Sequence, residues 1–518
     1  MARTARILLR GGNVVDGTGA PARRADVAVE SGRIAALGDL PPAAGDEAVD
    51  VAGLAVAPGF HDVHTHFDLT LLAEPAHLDG LCQGITTYHV AQCGLGFAPA
   101  SAPTQALFRD YLAAIAGDPE LPPWTSVAEY LALFDRAAAV NLVVLLPHGL
   151  LRAEVAGMSR GPLTPPQLDR LKRLAAEGME QGARGISTGL TYFPGSEADL
   201  QELVAVTRVV AEHGGVYASH LRNYSDGLLE AIDEACEIGR QCRLPVQISH
   251  LRPQARFSGR AREVLAHVEA ARDAGIDVAF DLYPYLKGCT IMSALFLAPE
   301  VYAGGVEAAL AMLRDAAERE RLRRAMPLAD WSEAHIASVA TEKNKPFEGM
   351  RLTDFAASQG KDVFDACADL LLEERLRVSV VGWPIEESDH RAVLAHPLCL
   401  VGSDSIPMGG ARHPRACGSF ARYLGHHVRE LGLLPLEEAI RRITSVPARR
   451  FGLDGRGLVA EGQAADLVVF DPARIADRAT YEQPLRRAEG VRHVLVNGEF
   501  VLRDGRLTAA RPGRALRS

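Results

Sequence analysis

Two periodicities divide the chain. Apolar and polar residues alternate over short runs at residues 5–9, 12–16, 25–30 and 33–37, each closed by Gly, Pro or a Ser-Gly pair. Alternation of period two marks half-buried strands. The pattern returns at residues 466–470, 491–497 and 499–502, where Asn497-Gly498 and Asp504-Gly505 carry turn chemistry. Two β-rich ends around a long middle predict one small β-sandwich assembled from both termini, residues 1–55 and 455–518.

The middle, residues 56–454, has a different rhythm. Strand candidates lie at 54–60, 85–91, 141–147, 185–188, 215–219, 246–249, 277–281, 378–383 and 399–402. Amphipathic stretches at 167–181, 198–213, 227–241, 260–274 and 436–444 follow the helical period. Strands alternating with helices over this length predict an α/β fold with a parallel sheet, closed as a (β/α)8 TIM-like barrel. Nine candidates compete for eight places, so one belongs elsewhere. The alternation lapses between residues 285 and 359, which read as an insertion within the barrel.

Composition narrows the function classes. The 518 residues are 48% hydrophobic and 23% charged, enough for a large buried core. The net charge is −10 with no basic arm or stripe, which argues against a nucleic-acid partner. No apolar run approaches the roughly 18 residues of a membrane span, and residues 1–9 hold no secretory apolar core, so no membrane partner is expected. Eight scattered cysteines read as reduced thiols. The cytoplasm is the expected compartment, and an oligomer is compatible with all of this.

Candidate chemistry sits at the ends of the predicted strands. His64 and His66, in HDVHTH, are spaced i and i+2 and so share one face of a strand. Cys93 follows the second barrel candidate in QCGLG, His220 ends VYASH, His250 ends VQISH, and Asp404 closes LVGSD. Five strands thus present a nitrogen, sulfur or carboxylate ligand at the C-terminal end, the face where barrel enzymes hold their chemistry. Thiolate with imidazole suits Zn²⁺ better than Mg²⁺ or Ca²⁺, which prefer all-oxygen shells.

The segments PGFHDVHTHFD, GITTYHVAQCGLGFAP, GISTGLTYFPG, YASHLRNYSDGLLEAIDEA, VQISHLRP, DLYPY, VGSDSIP, HPRACGSFARYLG and VFDPARIADRATYEQP occur in one order from Pro58 to Pro484. In these the chain resembles the amidohydrolase superfamily and, more narrowly, the N-acyl-D-amino-acid deacylases of the D-aminoacylase group. The resemblance implies zinc-dependent hydrolysis of an N-acyl-D-amino acid to a carboxylate and a free D-amino acid. By position it makes Cys93, His220 and His250 the ligands of a tightly held zinc. His64 and His66 with Asp404 become a second, weaker metal position, and Asp404 the catalytic general base and acid. The same resemblance implies that the insertion at residues 285–359 is a mobile lid covering the site. Zinc lowers the pKa of a bound water from about 15.7 to about 7, which makes hydroxide available at neutral pH.

No lysine lies in residues 185–189, where many amidohydrolases carry a metal-bridging carboxylated lysine; in this group the cysteine commonly replaces it. Arg252 and Tyr283 stand where the resembling enzymes engage the substrate carboxylate. Arg222 and Arg415 are further cationic candidates, and Tyr192 and His148 further substrate contacts. Members often carry lysine in place of Arg252 and glutamate in place of Tyr224. A guanidinium fork binds carboxylate bidentately, so the expected partner is a small molecule with an amide bond and a carboxylate.

Two other readings share these residues: an amidohydrolase acting on a cyclic amide, peptide or acylated natural product, and a scaffold that has lost its metal. The remaining groups take plainer roles. His61 and His89 are expected to pack, His426 and His427 to sit on the surface of an amphipathic helix, and Cys82, Cys236, Cys242, Cys289, Cys367, Cys399 and Cys417 to fill the core.

Overall fold

The computed structural model describes residues 6–325 and 331–518; Ala5, at the start of the first predicted strand, and residues 326–330 of the insertion lie outside the described residues. Eight short strands form the barrel. They are β1 (Phe60–Asp62), β2 (Ile85–Val90), β3 (Asn141–Val144, continued by Leu146–Pro147), β4 (Gly185–Gly189), β5 (Val216–His220), β6 (Val246–Ile248), β7 (Val278–Leu282) and β8 (Cys399–Val401). Each pairs in parallel with the next. Helices such as Leu200–Glu212 cover the outside: Asp199 caps the helix by accepting from the Glu202 N–H at 2.8 Å, and Leu203, Val206 and Val210 are buried.

The ring closes beyond the last residues of β1 and β8. Thr65 bridges to Ser405, the Asp404 N–H donates to the His64 carbonyl at 2.7 Å, and the His66 N–H donates to the Ser405 carbonyl at 3.1 Å. Buried Asp62 adds a second tie, accepting from the N–H of Ser403 at 2.7 Å and from its hydroxyl at 2.5 Å. A side chain at Gly402 would put its Cβ 2.5 Å from that of His64, so glycine is what permits the approach. The segments that close the barrel therefore carry three of the ligand-type side chains, His64, His66 and Asp404.

Strands from both termini form one nine-stranded sheet, with Ala55–Pro58 pairing antiparallel to Leu467–Phe470. Its halves share a core in which Leu9, Val27, Val29 and Ile34 meet Val56, Leu467, Val469 and Leu495. The opposite faces of the central strands, with Val468, Phe470, Val494 and Val496, belong to the core of the barrel. Among the N-terminal candidates, 5–9 and 12–16 are one strand, Ile7–Val14, with a register shift between Leu9 and Gly12. A bulge of this kind breaks the apolar alternation and mimics a turn in the sequence.

The barrel candidate at 54–60 divides at Pro58-Gly59: Ala55–Pro58 joins the terminal sheet and only Phe60 enters β1. The surplus ninth candidate is Ser379–Gly382. It lies in a separate antiparallel sheet between Gly288–Ile291 and His335–Ser338. The insertion therefore continues past Gln359, to the helix Val363–Glu373 and this strand. Its apolar run could not reveal the difference, because a fully buried strand reads alike in either sheet. Among the described residues, no helix is long and apolar enough to cross a membrane.

Candidate active site

Every strand-end candidate points to the same end of the barrel. His64 and His66 follow β1, Cys93 follows β2, His220 ends β5, His250 follows β6 and Asp404 follows β8. Three of them sit on left-handed backbone: Cys93 at φ +56°, His250 at +32° and Asp404 at +49°. Such conformations are uncommon for residues with a side chain and persist where the surroundings over-determine them. The His250 N–H is held by Asp281 Oδ1 at 2.8 Å, and the Asp404 N–H by the His64 carbonyl. At the turn that carries Cys93, a Cβ on Gly189 would come within 2.0 Å of the Cys93 carbonyl oxygen, so only glycine fits there.

Among the described residues, two groups could hold a metal ion, His64 with Cys93 and His250, and His64 with His66 and Asp404; in each, the ligand atoms lie within 4.8 Å of one another. Cys93 Sγ is 3.3 Å from His64 Nε2 and 3.9 Å from His250 Nε2. Asp404 Oδ1 is 3.5 Å from His64 Nε2 and 3.3 Å from His66 Nε2. His220 stands beside these groups, its ring centroid 4.6 Å from that of His250. Its Nε2 meets Thr191 Oγ1 at 2.9 Å, while its buried Nδ1 has no hydrogen-bond partner. A sulfur, several imidazoles and an orphaned buried nitrogen together fit a zinc ion.

The electrostatics follow from this crowding. Burial opposes ionisation of the Cys93 thiol, yet the His64 charge and the neighbouring imidazoles of His220, His250 and His64 hold it well below the usual thiol range. Burial likewise opposes a charged Asp404, but the Arg415 guanidinium, 2.8 Å from Oδ2, and the bond from His66 keep this carboxyl well below its ordinary value. Burial would also lower His66; its bonds to Asp404 and Cys93 instead raise it to about 9. His220 moves the other way, lowered chiefly by burial.

A cavity of about 280 Å³ opens onto this cluster, lined by His66, Cys93, His220, His250 and Asp404 together with Arg252, Tyr283, Tyr192, Tyr224 and Cys289. Leu95, Ile115, Leu295, Trp383 and Ile406 supply apolar walls. A larger surface cavity of about 770 Å³, between Phe67, Asp118, Met408 and Arg487, holds none of the candidate ligands. The Tyr283 ring lies between two guanidiniums, 5.3 Å from that of Arg252 and 4.5 Å from that of Arg415. Arg252 is braced by the carbonyls of Leu286 at 2.7 Å and Trp383 at 2.9 Å. Across the cavity, the Tyr192 hydroxyl meets Thr290 Oγ1 of the insertion at 3.2 Å.

Three predicted substrate contacts are not brought to this cavity. Arg415 is wholly buried and spends its charge on Asp404 Oδ2 at 2.8 Å. His148 is wholly buried, its Nε2 2.9 Å from Glu202 Oε1, which also pairs with Arg152 Nε at 3.1 Å. Arg222 spends its fork on Glu234, at 2.9 and 3.0 Å, and on the carbonyls of Ser196 and Ala198. In all three cases an acid elsewhere in the fold claims the side chain. His427 is buried rather than exposed, because residues Tyr423–Glu430 wind as a π-helix and turn it inward toward the Pro284 carbonyl. Cys289, expected in the core, lines the cavity.

The sequence reading missed Asp281, which accepts from the Gln247 side chain at 3.1 Å as well as from the His250 N–H. Asp281 obeys the same rule as the ligands, a carboxylate near the C-terminal end of a barrel strand, so the signal was present. Tyr224 was noted only as a departure from the resembling enzymes.

The sequence profile of the Amidohydrolase family matches residues 47–502. A D-aminoacylase of Alcaligenes xylosoxydans xylosoxydans is 37% identical over 516 residues, covering 98% of this chain and 97% of that protein. An N-acyl-D-glutamate deacylase of the same organism is also 37% identical, covering 99% and 96%. Among solved structures, the N-acyl-D-glutamate deacylase of Bordetella bronchiseptica, complexed with zinc and a phosphonate that mimics the tetrahedral intermediate, superposes with a TM-score of 0.84 at 35% identity, covering 99% of each chain. With a family profile spanning most of its length and relatives of this identity end to end, the chain belongs to the amidohydrolase family.

Proposed function

We propose that this protein is a zinc-dependent hydrolase of N-acyl-D-amino acids, releasing a carboxylate and a free D-amino acid. One observation carries the reading: a single cavity joins the sulfur and imidazole cluster to Arg252 and Tyr283, with buried Arg415 behind the Tyr283 ring and paired to Asp404. An acyl amino acid offers an amide to the first and a carboxylate to the second. The names of the relatives support the same substrate class. Cys93, His220 and His250 hold the tight zinc, and His64, His66 and Asp404 form the second, weaker position. When bound, zinc polarises the amide carbonyl and acidifies water.

The chain's own groups do the rest. Arg415 keeps Asp404 ionised, so its carboxylate is ready to accept a proton at neutral pH and to return it to the departing amine. Arg252 and Tyr283 orient the substrate carboxylate, and Tyr192 with the insertion residues around Thr290 covers the cavity as a lid that excludes water. The working unit is the barrel of residues 56–454, with the terminal sheet as support. Eight free thiols favour the cytoplasm as its compartment. The test is release of amine from a panel of N-acetyl D- and L-amino acids, dipeptides and cyclic amides by the zinc-loaded protein. Turnover of acyl-D-amino acids is expected; none on any of them would overturn the reading.

A further inference from the structure

The ladder between β5 and β6 ends just where two candidate ligands begin. Its last paired residues are Ser219 and Ile248, and one more bond follows, from the Ser249 N–H to the Ser219 carbonyl at 2.9 Å. Beyond it the strands part. The next two backbone groups, the Leu221 N–H and the Ser249 carbonyl, belong to residues 1% and 0% exposed, and burial there demands a partner for each.

Tyr224 supplies both partners. Its hydroxyl accepts from the Leu221 N–H at 3.0 Å and donates to the Ser249 carbonyl at 2.9 Å, bridging the gap as a rung made of one side chain. Leu221 directly follows His220, and Ser249 directly precedes His250. The Tyr224 ring also stands against both imidazoles. Its centroid is 5.0 Å from that of His220 at an angle of 80° and 5.1 Å from that of His250 at 47°.

We infer that Tyr224 is a positioning residue for the metal centre, its hydroxyl setting the spacing of His220 and His250 and its ring fixing their rotation. The inference rests on the zinc reading above, since it treats both histidines as ligands. Zinc sites tolerate ligand displacements of about 0.2 Å, and loss of a group that orients a ligand typically weakens metal binding about 10–100-fold. Tyr224→Phe keeps the ring and removes only the rung, leaving two buried backbone groups unpaired.

The experiment compares full-length wild type, Tyr224→Phe and Tyr224→Gln, measuring zinc affinity by chelator competition and kcat and KM on an N-acetyl-D-amino acid at saturating zinc. Tyr224→Phe is expected to bind zinc about 10–100-fold more weakly. It should also lose kcat while KM stays within about threefold, because the cavity wall is intact. Tyr224→Gln removes the ring, and its shorter amide does not reach across the gap, so it is expected to bind zinc at least as weakly as the Phe variant. Wild-type zinc affinity and kcat in Tyr224→Phe would overturn the inference and leave the zinc reading standing, whereas a wild-type protein that binds no zinc would overturn both. Should the Phe variant fail to fold, the Gln variant decides: zinc bound at least about 10-fold more weakly than wild type by folded protein supports the inference, and wild-type zinc affinity with wild-type kcat overturns it.

Discussion

Asp281 Oδ1 lies 3.2 Å from His64 Nδ1, with both side chains essentially inaccessible to solvent. The same oxygen accepts the His250 N–H at 2.8 Å, so one buried carboxylate governs ligand-type residues from two strands. Its negative charge beside Nδ1 favours a proton on that nitrogen, which would turn Nε2 toward Cys93 and Asp404 as a ligand. Asp281→Asn is expected to fold and to bind zinc about 10–100-fold more weakly. Chelator competition reads this directly, and an unchanged affinity would remove Asp281 from the metal centre.

Asp404 carries the proton in the proposed reaction. Asp404→Asn should lower kcat by roughly 10²–10⁴, the usual value of general acid-base help, while the zinc held by Cys93, His220 and His250 remains. Steady-state kinetics with metal analysis on the same sample check both halves. Near-full activity would sink the assignment.

The two metal positions should differ in strength. Losing the only sulfur, with Cys93→Ser, is expected to abolish tight zinc binding, whereas His66→Ala should spare it and weaken only the second position. Zinc stoichiometry after dialysis against a mild chelator discriminates them. Equal losses in the two variants would mean that the cluster is a single site.

Acid should destabilise the fold. Burial pushes His61, His77 and His390 down to about 4 and His427 to about 2, and it holds His89 and His413 well below their ordinary value. The unfolded chain takes up protons at these positions near 6.5 while the fold does not, so stability that is full above 6.5 is lost as pH falls toward 4. Buried Asp62, raised to about 7, and Asp68, raised to about 6, act in the opposite sense but are outnumbered. The Tm of metal-free protein should therefore drop between pH 7 and pH 4.5. A flat or rising Tm over that interval contradicts the account.

The cavity also bears on the amino-acid side chain. Among its lining residues Arg252 is the one lysine or arginine, and Leu95, Ile115, Leu295, Trp383 and Ile406 form the walls. The substrate's own carboxylate uses Arg252, and a second carboxylate would be buried without a cation. N-acetyl-D-leucine or N-acetyl-D-methionine should exceed N-acetyl-D-glutamate in kcat/KM by about 100-fold or more. Preference for the glutamate derivative would show that the walls do not contact the side chain.

Much of this protein was legible before any coordinate. Apolar runs located seven of the eight barrel strands, while the run at 54–60 lies mostly in the terminal sheet and meets the first barrel strand only at Phe60. His64, His66, Cys93, His220, His250 and Asp404 were found because each stands at the end of a strand where loops are free to carry chemistry. Such features are local: a strand, its end and the residue after it are neighbours in sequence.

Features set by distant pairing were not legible. The ninth apolar run went to the insertion because its partners are Gly288–Ile291 and His335–Ser338. His148, Arg222 and Arg415 left the predicted substrate set because Glu202, Glu234 and Asp404 hold them. Tyr224 and Asp281 gained roles through backbone groups and imidazoles on other strands. The sequence by itself determined which residues could ligate and at which end of which strand. Only the tertiary structure decided which are held in place and by what, because a buried polar group takes whichever partner the packing brings within about 3 Å, whatever the separation along the chain.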